Sequence, residues 1–149
     1  MKDLFDSAAA SEIQARLSKL QPDSKPLWGK MNVSQMLAHC IVPLQVSLSE
    51  VQLKRSLFGK LFGRIAKKRM VMETDFKKNL PTAPQFIVKD ERNFLSEKQK
   101  LQSLIQRFAS SDPDSIAKIH HPFFGPMTKK EWGLLQWKHL DHHLRQFGT

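Results

Sequence analysis

The sequence lacks the features of disulfide-stabilised, secreted and membrane-spanning proteins. It contains one cysteine in 149 residues, Cys40, so an internal disulfide is excluded. No segment approaches the roughly 18 apolar residues of a transmembrane helix. Residues 1–20 carry charges throughout, where a signal peptide has an unbroken apolar centre. We therefore expect a cytoplasmic protein.

Common nucleotide-binding and hydrolase motifs are also missing. The sequence contains no glycine-rich phosphate loop, no nucleophile elbow and no HExxH pattern, so nothing supports a nucleotide-binding protein or a zincin-type peptidase. The composition is that of an ordinary globular protein, with 40% hydrophobic and 26% charged residues. A chain of this length buries about 70% of its unfolded surface, and we predict a single domain over residues 1–149.

The hydrophobic periodicity is mostly helical, without a convincing alternating strand or an internal repeat. It predicts four principal helices, at 7–20, after Asn32, after Ser96 and at 129–146. The last three begin at capping boxes, in which two side chains three residues apart satisfy each other's backbone amides. These boxes pair Asn32 with Gln35, Ser96 with Gln99, and Thr128 with Glu131.

The region between the second and third helices is less regular. Apolar residues recur every four positions over 53–65, which predicts a short, loosely specified helix. Residues 85–88 are the only segment that could pass for a strand, and they are too short and isolated to build a sheet. The fold class that we predict is all-α, an antiparallel four-helix bundle with a basic helical excursion between helices two and three.

Positive charge is concentrated in that excursion. The net charge is +10, and residues 54–78 hold nine basic and two acidic residues. Basic residues that alternate with Leu, Phe and Ile are typical of an amphipathic helix that binds nucleic acid or an anionic membrane surface. On that alternative the chain is a metal-free binding module. A solvated basic face above a stripe that faces the core explains the same pattern.

The last predicted helix carries a pair of histidines with metal-ligand spacing. His139 and His143 are four residues apart, so they lie one above the other on one face, beside the apolar stripe of the helix. The same helical wheel places His142 and Asp141 at the rim or the surface. Neutral imidazole is the commonest side-chain metal ligand, so the pair predicts two thirds of a metal site. Such a pair on a terminal helix also arises by chance.

The second helix offers the third ligand. His39 is the only histidine in the first 119 residues, and it shares a helical face with Met36 and Pro43. A proline inside a helix clashes with the carbonyl four residues back, which here belongs to His39. We therefore expect the helix to kink or end at this candidate ligand. The alternative for each histidine is a hydrogen-bonded residue of the core.

Two blocks of the sequence carry a family resemblance. They are LWGKMNVSQMLAHC at 27–40 and HPFFGPMTKKEWGLLQWKHLDHHLRQFG at 121–148. Both resemble the DinB-like superfamily of four-helix-bundle metalloenzymes, in a branch described as a domain of unknown function. The resemblance implies an up-down-down-up bundle and a divalent metal held by one histidine of the second helix and two of the fourth. In this sequence those positions are His39, His139 and His143.

The resemblance also implies a chemistry. Relatives in that superfamily include metal-dependent transferases and isomerases that use low-molecular-weight thiols, which implies a thiol transferase with a small-molecule substrate. Three histidines leave coordination positions open, as in catalytic sites, and the metal would be zinc, nickel or iron. The oligomeric state stays open, with a homodimer as one form.

Five further residues are weaker candidates. His121 precedes a proline in the loop before the last helix, and it is either a general acid or base or a residue that packs this loop. Cys40 points away from the neighbouring histidine, which predicts a buried apolar residue. Gln146 is placed to hydrogen-bond a ligand or to finish the helix. Trp28 and Trp132 stand near helix starts as core anchors or pocket walls.

Overall fold

The structure is a computed structural model that describes residues 2–55, 57–72 and 75–149. Within these ranges the chain forms six α-helices, one 3₁₀ turn and no β-strand, which confirms the all-α prediction. None of these six helices combines the length and the hydropathy of a membrane-crossing segment. The helices are α1 (Ser7–Ser18), α2 (Val33–Ser47), α3 (Leu57–Met72), α4 (Phe94–Ser110), α5 (Pro113–Ala117) and α6 (Lys129–Gln146), and the 3₁₀ turn spans Pro84–Phe86.

The core lies between four of the helices. Helix α2 packs against α4 and α6, α1 packs against the same two helices, and α3 and α5 both pack on α6. Full burial of one Leu, Ile, Met or Phe side chain contributes about 1.5–3 kcal/mol, so this cluster holds α2 and α6 in fixed relative positions. Its largest fully buried members include Trp132, Phe108, Ile13, Leu17, Met36, Leu37, Leu44, Leu101, Ile105 and Leu140.

The two helices that carry the candidate ligands begin at the predicted capping boxes. In α2 the Asn32 side chain accepts a bond of 2.9 Å from the Gln35 amide, and the Gln35 side chain accepts one of 3.1 Å from the Asn32 amide. In α6 Thr128 and Glu131 make the same reciprocal pair, at 3.2 and 2.7 Å. Because each box fixes where its helix starts, it also fixes the register of the histidines along that helix.

The predicted box at Ser96 is wrong. Helix α4 begins at Phe94, and its cap is Asn93, whose side chain accepts a bond of 2.9 Å from the Ser96 amide. Asparagine is as good an N-cap as serine, and the earlier start lets Phe94 pack against the core. Ser96 therefore lies inside the first turn of the helix and does not precede it.

One other prediction about local structure needs correction. Helix α3 is a regular helix of 16 residues and not a short one over 53–65. Residues 85–88 build no sheet, as expected, and Pro84 opens a 3₁₀ turn there. Of the two outcomes expected at His39, a kink or an end of the helix, the end does not occur, because α2 continues past Pro43 to Ser47. The short helix α5 was not predicted.

Asp141 corrects the prediction of a surface position. Its side chain is only 11% exposed and accepts bonds from Arg16 at 2.7 Å and from Arg145 at 2.9 Å. The wheel of α6 alone places Asp141 away from the main apolar stripe, but α1 covers that side of the helix. The resulting pair between Arg16 and Asp141 joins α1 to α6 at a residue that lies between His139 and His143 in the sequence.

Candidate metal centre

Three histidines from two helices meet at one point of the structure. His39 of α2 faces His139 and His143 of α6, and one ligand nitrogen from each lies within 4.8 Å of the other two. The closest pair is His39 Nε2 and His139 Nε2, at 3.0 Å. The centroids of the three rings are 4.7 to 4.9 Å apart. The three residues that the sequence singled out as metal ligands are therefore brought together.

Hydrogen bonds at Nδ1 orient two of the three rings. The Nδ1–H of His39 donates to the carbonyl oxygen of Phe86, at 2.8 Å, because a carbonyl can only accept. His143 Nδ1 lies 2.8 Å from Gln146 Oε1, and Gln146 Nε2 in turn donates to the carbonyl of Trp28, at 2.6 Å. With the proton held on Nδ1, Nε2 of both rings presents a lone pair, the form that binds a metal.

A glycine permits the contact behind His143. Gly29 has φ of +83°, a left-handed conformation that favours glycine, and a Cβ added there would lie 2.5 Å from Gln146 Nε2. Without a side chain at this position, the backbone of the Trp28 loop comes close enough to accept the Gln146 bond. The loop before α2 thus fixes the orientation of Gln146, and Gln146 fixes His143.

The distance between the Nε2 atoms of His39 and His139, and the buried polar atoms near them, bear on whether the site suits a cation. His39 Nε2 presents a lone pair 3.0 Å from His139 Nε2, so either a proton or a cation must lie between the two nitrogens. His139 Nδ1 and Gln136 Oε1 are buried in the cavity wall without a hydrogen-bond partner among the described residues. Zinc ligands at about 2.0–2.1 Å in a tetrahedron stand roughly 3.3 Å apart. An all-imidazole set whose nitrogens lie within 4.8 Å of one another, with one pair already at 3.0 Å, suits zinc, nickel or iron.

Burial keeps the three imidazoles neutral at pH 7. It lowers the pKa of His39 below the ordinary value of 6.5, against the opposing effect of the bond to Phe86. It lowers the pKa of His143 to about 3. The pKa of His139 falls well below 6.5, mainly through burial and then through the neighbouring imidazoles. Only neutral imidazole binds a metal, so these groups are ready to bind without first losing a proton.

The histidines line the wall of a large cavity of about 920 Å³. This volume lies within the roughly 300–1,000 Å³ of small-molecule sites. Three cations also line it, Lys30, Arg69 and Lys77, whereas no Asp or Glu does so among the described residues. The aromatic part of the wall consists of Trp28, Phe76, Phe86, Phe123 and Phe124.

His121 lies in this cavity wall, and one of its ring nitrogens already accepts hydrogen bonds. Its Nδ1 accepts bonds from the amides of Phe123 and Phe124, at 3.1 and 3.0 Å, so the proton of the neutral ring is on Nε2. Burial lowers its pKa to about 4. A ring in this state has no free lone pair with which to act as a base. The geometry favours the second of its predicted roles, that of packing the loop before α6.

The remaining candidates take different positions. Cys40 is buried, and burial raises the pKa of its thiol, as expected for a residue of the core. Trp132 is fully buried and donates to the Ile119 carbonyl at 3.2 Å, so it is a core anchor. Trp28 is half-buried and lines the cavity, and the half-buried ring of His142 contacts it edge-on, with centroids 5.7 Å apart.

Sequence reasoning missed the loop that closes the site. Residues 76–88 contribute Phe76, the Phe86 carbonyl that orients His39, and much of the cavity wall. Apart from residues 85–88, which could pass for a short strand, this segment carries no helical or strand periodicity, so its place in the site could not be predicted. The apolar residues on either side of Pro81 and Pro84, Leu80 and Ile87, are the signal that could have indicated a wall.

Comparisons with known proteins give one relationship. No curated protein and no solved structure matches the chain. The sequence profile of one family does match, over residues 3–149, and its description is "Protein of unknown function (DUF1569)". This match spans nearly all of the chain and includes the three histidines of the candidate metal centre. The chain therefore belongs to the DUF1569 family.

Proposed function

We propose that this protein is a metal-dependent thiol transferase of DinB-like type. On this proposal residues 1–149 form one cytoplasmic four-helix-bundle domain, and His39, His139 and His143 hold a single divalent ion, zinc, nickel or iron. One observation carries the proposal. Three neutral imidazoles from two helices meet on the wall of a cavity large enough for a small molecule, and hydrogen bonds at Nδ1 aim two of them inward.

The chain's own residues would prepare the site in two ways. Phe86 and Gln146 hold the imidazoles of His39 and His143 as neutral tautomers with Nε2 towards the cavity. The aromatic side chains of the cavity wall place an apolar surface beside the rings. A divalent metal held there would keep a coordination position open and would lower the pKa of a thiol that binds to it.

The reaction that we propose is substitution at carbon. The sulfur of a thiolate forms a bond to an electrophilic carbon of the second substrate while the bond from that carbon to its leaving group breaks. The leaving group departs with the bonding electron pair, and the proton of the thiol passes to solvent. His121 is not needed as a base in this scheme, because the thiol loses its proton before the attack.

The cavity wall supports an anionic substrate. Lys30, Arg69 and Lys77 face no carboxylate among the described residues that line the cavity, and most of the remaining wall is apolar. A bound carboxylate or phosphate group would therefore gain charge-assisted hydrogen bonds without displacing an existing ion pair. We propose that the thiol substrate carries at least one acidic group. The second substrate, which holds the electrophilic carbon, is apolar.

Metal content tests the proposed site. Purified protein loaded in turn with zinc, nickel and iron should retain close to one ion per chain by elemental analysis after desalting. His39→Ala and His143→Ala should lower the retained content several-fold, whereas His120→Ala, a change at an exposed histidine, should not. Unchanged content in both ligand variants would contradict the proposed site.

A thiol screen tests the reaction. The metal-loaded protein is mixed with 1-chloro-2,4-dinitrobenzene and one of three thiols, glutathione, mercaptosuccinate or neutral 2-mercaptoethanol, and thioether formation is followed by absorbance. The acidic thiols should react faster than the neutral one, and Lys77→Gln should reduce that preference. Lys54→Gln removes an exposed charge outside the cavity wall and serves as the control. If the protein binds metal but accelerates none of these reactions, the result contradicts the proposed reaction and leaves the proposed metal site standing.

A further inference from the structure

Helix α3 turns its apolar side to solvent. Six of its large hydrophobic side chains are 46–77% exposed, which is unusual for so many neighbours on one helix. On a wheel of 100° per residue they share one arc of about 140°. The sequence alone does not show whether this stripe faces the core, and the structure places it on the outside. Its members are Leu57, Phe58, Leu61, Phe62, Ile65 and Met72.

The opposite side of α3 is fixed to the protein. Gly59, Gly63 and Met70 are its buried residues, and a Cβ at Gly63 would overlap the carbonyl oxygen of Phe123. Lys67 donates to the Pro126 carbonyl at 2.8 Å and pairs with Glu131 at 3.4 Å. These contacts need the small residues to face inward, so rotation of the helix cannot bury the exposed stripe.

Cations border the exposed stripe. Lys60, Arg64 and Lys68 follow one edge of it, Arg69 stands at the other edge, and all four are exposed. Residues 57–72 contain no acidic residue. None of these four cations forms an ion pair within the described part of the chain. The face is therefore both apolar and positively charged, a pattern typical of helices that lie in the plane of a membrane surface.

We propose that α3 docks this protein on an anionic lipid surface. Acyl chains would cover the apolar stripe, and lipid phosphates would meet the cations at its edges. A second copy of the chain fits less well, because a two-fold pairing through this face would bring the cations of both copies together. Nucleic acid would use the cations but would leave six large apolar side chains in water.

Vesicle flotation with the full chain tests the proposal. The protein is mixed with vesicles of phosphatidylcholine alone, or of phosphatidylcholine with about 30% phosphatidylglycerol. It should float with the anionic vesicles, bind the neutral ones about tenfold more weakly, and detach from the anionic ones as NaCl rises to about 0.5 M. Equal binding to both vesicles, or no binding to either, would overturn the proposal.

Matched variants locate the binding face. The double change Leu61→Gln with Lys68→Gln should lower anionic-vesicle binding about tenfold or more. The control on α4, Leu95→Gln with Lys100→Gln, removes one exposed apolar side chain and one exposed charge elsewhere and should bind like the wild type. Ile65→Gln with Arg64→Gln is the second α3 pair, in case the first fails to fold by circular dichroism. Arg69 is left unchanged because it also lines the cavity.

Two further measurements distinguish a lipid surface from the two other possible occupants of the α3 face, a second copy of the chain and nucleic acid. Light scattering after gel filtration would overturn the proposal if it shows a dimer that Leu61→Gln dissociates while no variant alters vesicle binding. Binding to single-stranded RNA that competes vesicles away and survives Leu61→Gln would also overturn it. Neither result would touch the metal centre, whose ion content should be the same in every α3 variant.

Discussion

Helix α6 buries polar side chains, whereas helix α3 exposes apolar ones. In α6 the buried polar groups are Gln136, Lys138, Asp141, His143 and Gln146. Most of their polar atoms have a named partner, and the one buried atom without a partner among the described residues, Gln136 Oε1, lies in the wall of the same cavity as the candidate ligands. In α3 six large apolar side chains lie in solvent. Each helix departs from ordinary amphipathic patterning, and each departure supports a site that we propose, a metal centre for α6 and a docking face for α3.

Buried histidines in and near α6 stay neutral inside the protein, so a fall in pH should produce the largest loss of stability. Burial holds the folded-state pKa of His121 at about 4 and that of His143 at about 3, against an ordinary value of 6.5. The unfolded chain binds protons below pH 6.5 and the folded chain does not. The free energy of unfolding should therefore fall as pH drops from 6.5 towards 4, by about 1.4 kcal/mol per pH unit for each histidine.

Urea unfolding of the metal-free protein at a series of pH values measures this slope. His121→Asn keeps an acceptor for the two loop amides and removes the imidazole, so it should reduce the slope of stability against pH and leave the contribution of His143. His120→Ala, at the exposed neighbour, should leave it unchanged. A stability that stays constant between pH 6.5 and 4 would show that these imidazoles are not buried as described.

The buried ion pair beside the histidines should give the next largest effect. Asp141→Ala leaves Arg16 without the partner that joins α1 to α6, and removal of one member of a buried pair costs about 3 kcal/mol. Asp114→Ala breaks a pair with Lys129 whose side chains are 71% and 56% exposed, so it should cost less than about 1 kcal/mol. Thermal unfolding of both variants measures the two losses of stability. Similar losses would mean that the two ion pairs are equally solvated.

The residue behind His143 should change metal affinity without removing a ligand. Gln146→Leu deletes the acceptor for His143 Nδ1 and the donor to the Trp28 carbonyl, and loss of such an orienting partner lowers metal affinity by about 10–100-fold. Competition with a chromophoric chelator measures the change for zinc. Gln106→Leu, at an exposed position of α4, is the control. An unchanged zinc affinity would mean that Gln146 only finishes the helix.

The apolar face of α3 should give the smallest effect on stability. Leu61 is 73% exposed, so Leu61→Gln should change the free energy of unfolding by less than about 0.5 kcal/mol. The same change at Leu104, which is buried in α4, should cost several times more. A large loss at Leu61 would place this residue in the core and remove the contrast between the two helices.

Much of the helical framework could be predicted from local signals. Asn32 and Thr128 cap their helices as expected, because a capping box is a short-range arrangement that few other packing contacts disturb. The start of α4 was missed because two adequate caps lie three residues apart, and only the packing of Phe94 decides between them. The outward stripe of α3 was ambiguous because periodicity reveals an apolar face and not the direction in which it points.

The residues of the candidate metal centre were predictable, and their surroundings were not. The spacing of His139 and His143 and the family resemblance at His39 identified residues that the structure brings within 4.8 Å. The Phe86 carbonyl that orients His39 comes from a loop 47 positions away, and no local pattern encodes that contact. Asp141 shows the same limit, because a wheel describes one helix and not the α1 side chain that covers it.

The central claim is that three histidines hold one metal, and X-ray absorption at the zinc edge tests it most directly. Zinc-loaded wild-type protein should show three imidazole nitrogens at about 2.0–2.1 Å, with the outer-shell scattering of their rings. His143→Ala should show one imidazole fewer or no bound zinc. A spectrum without imidazole scattering, or one that His143→Ala leaves unchanged, would contradict the claim.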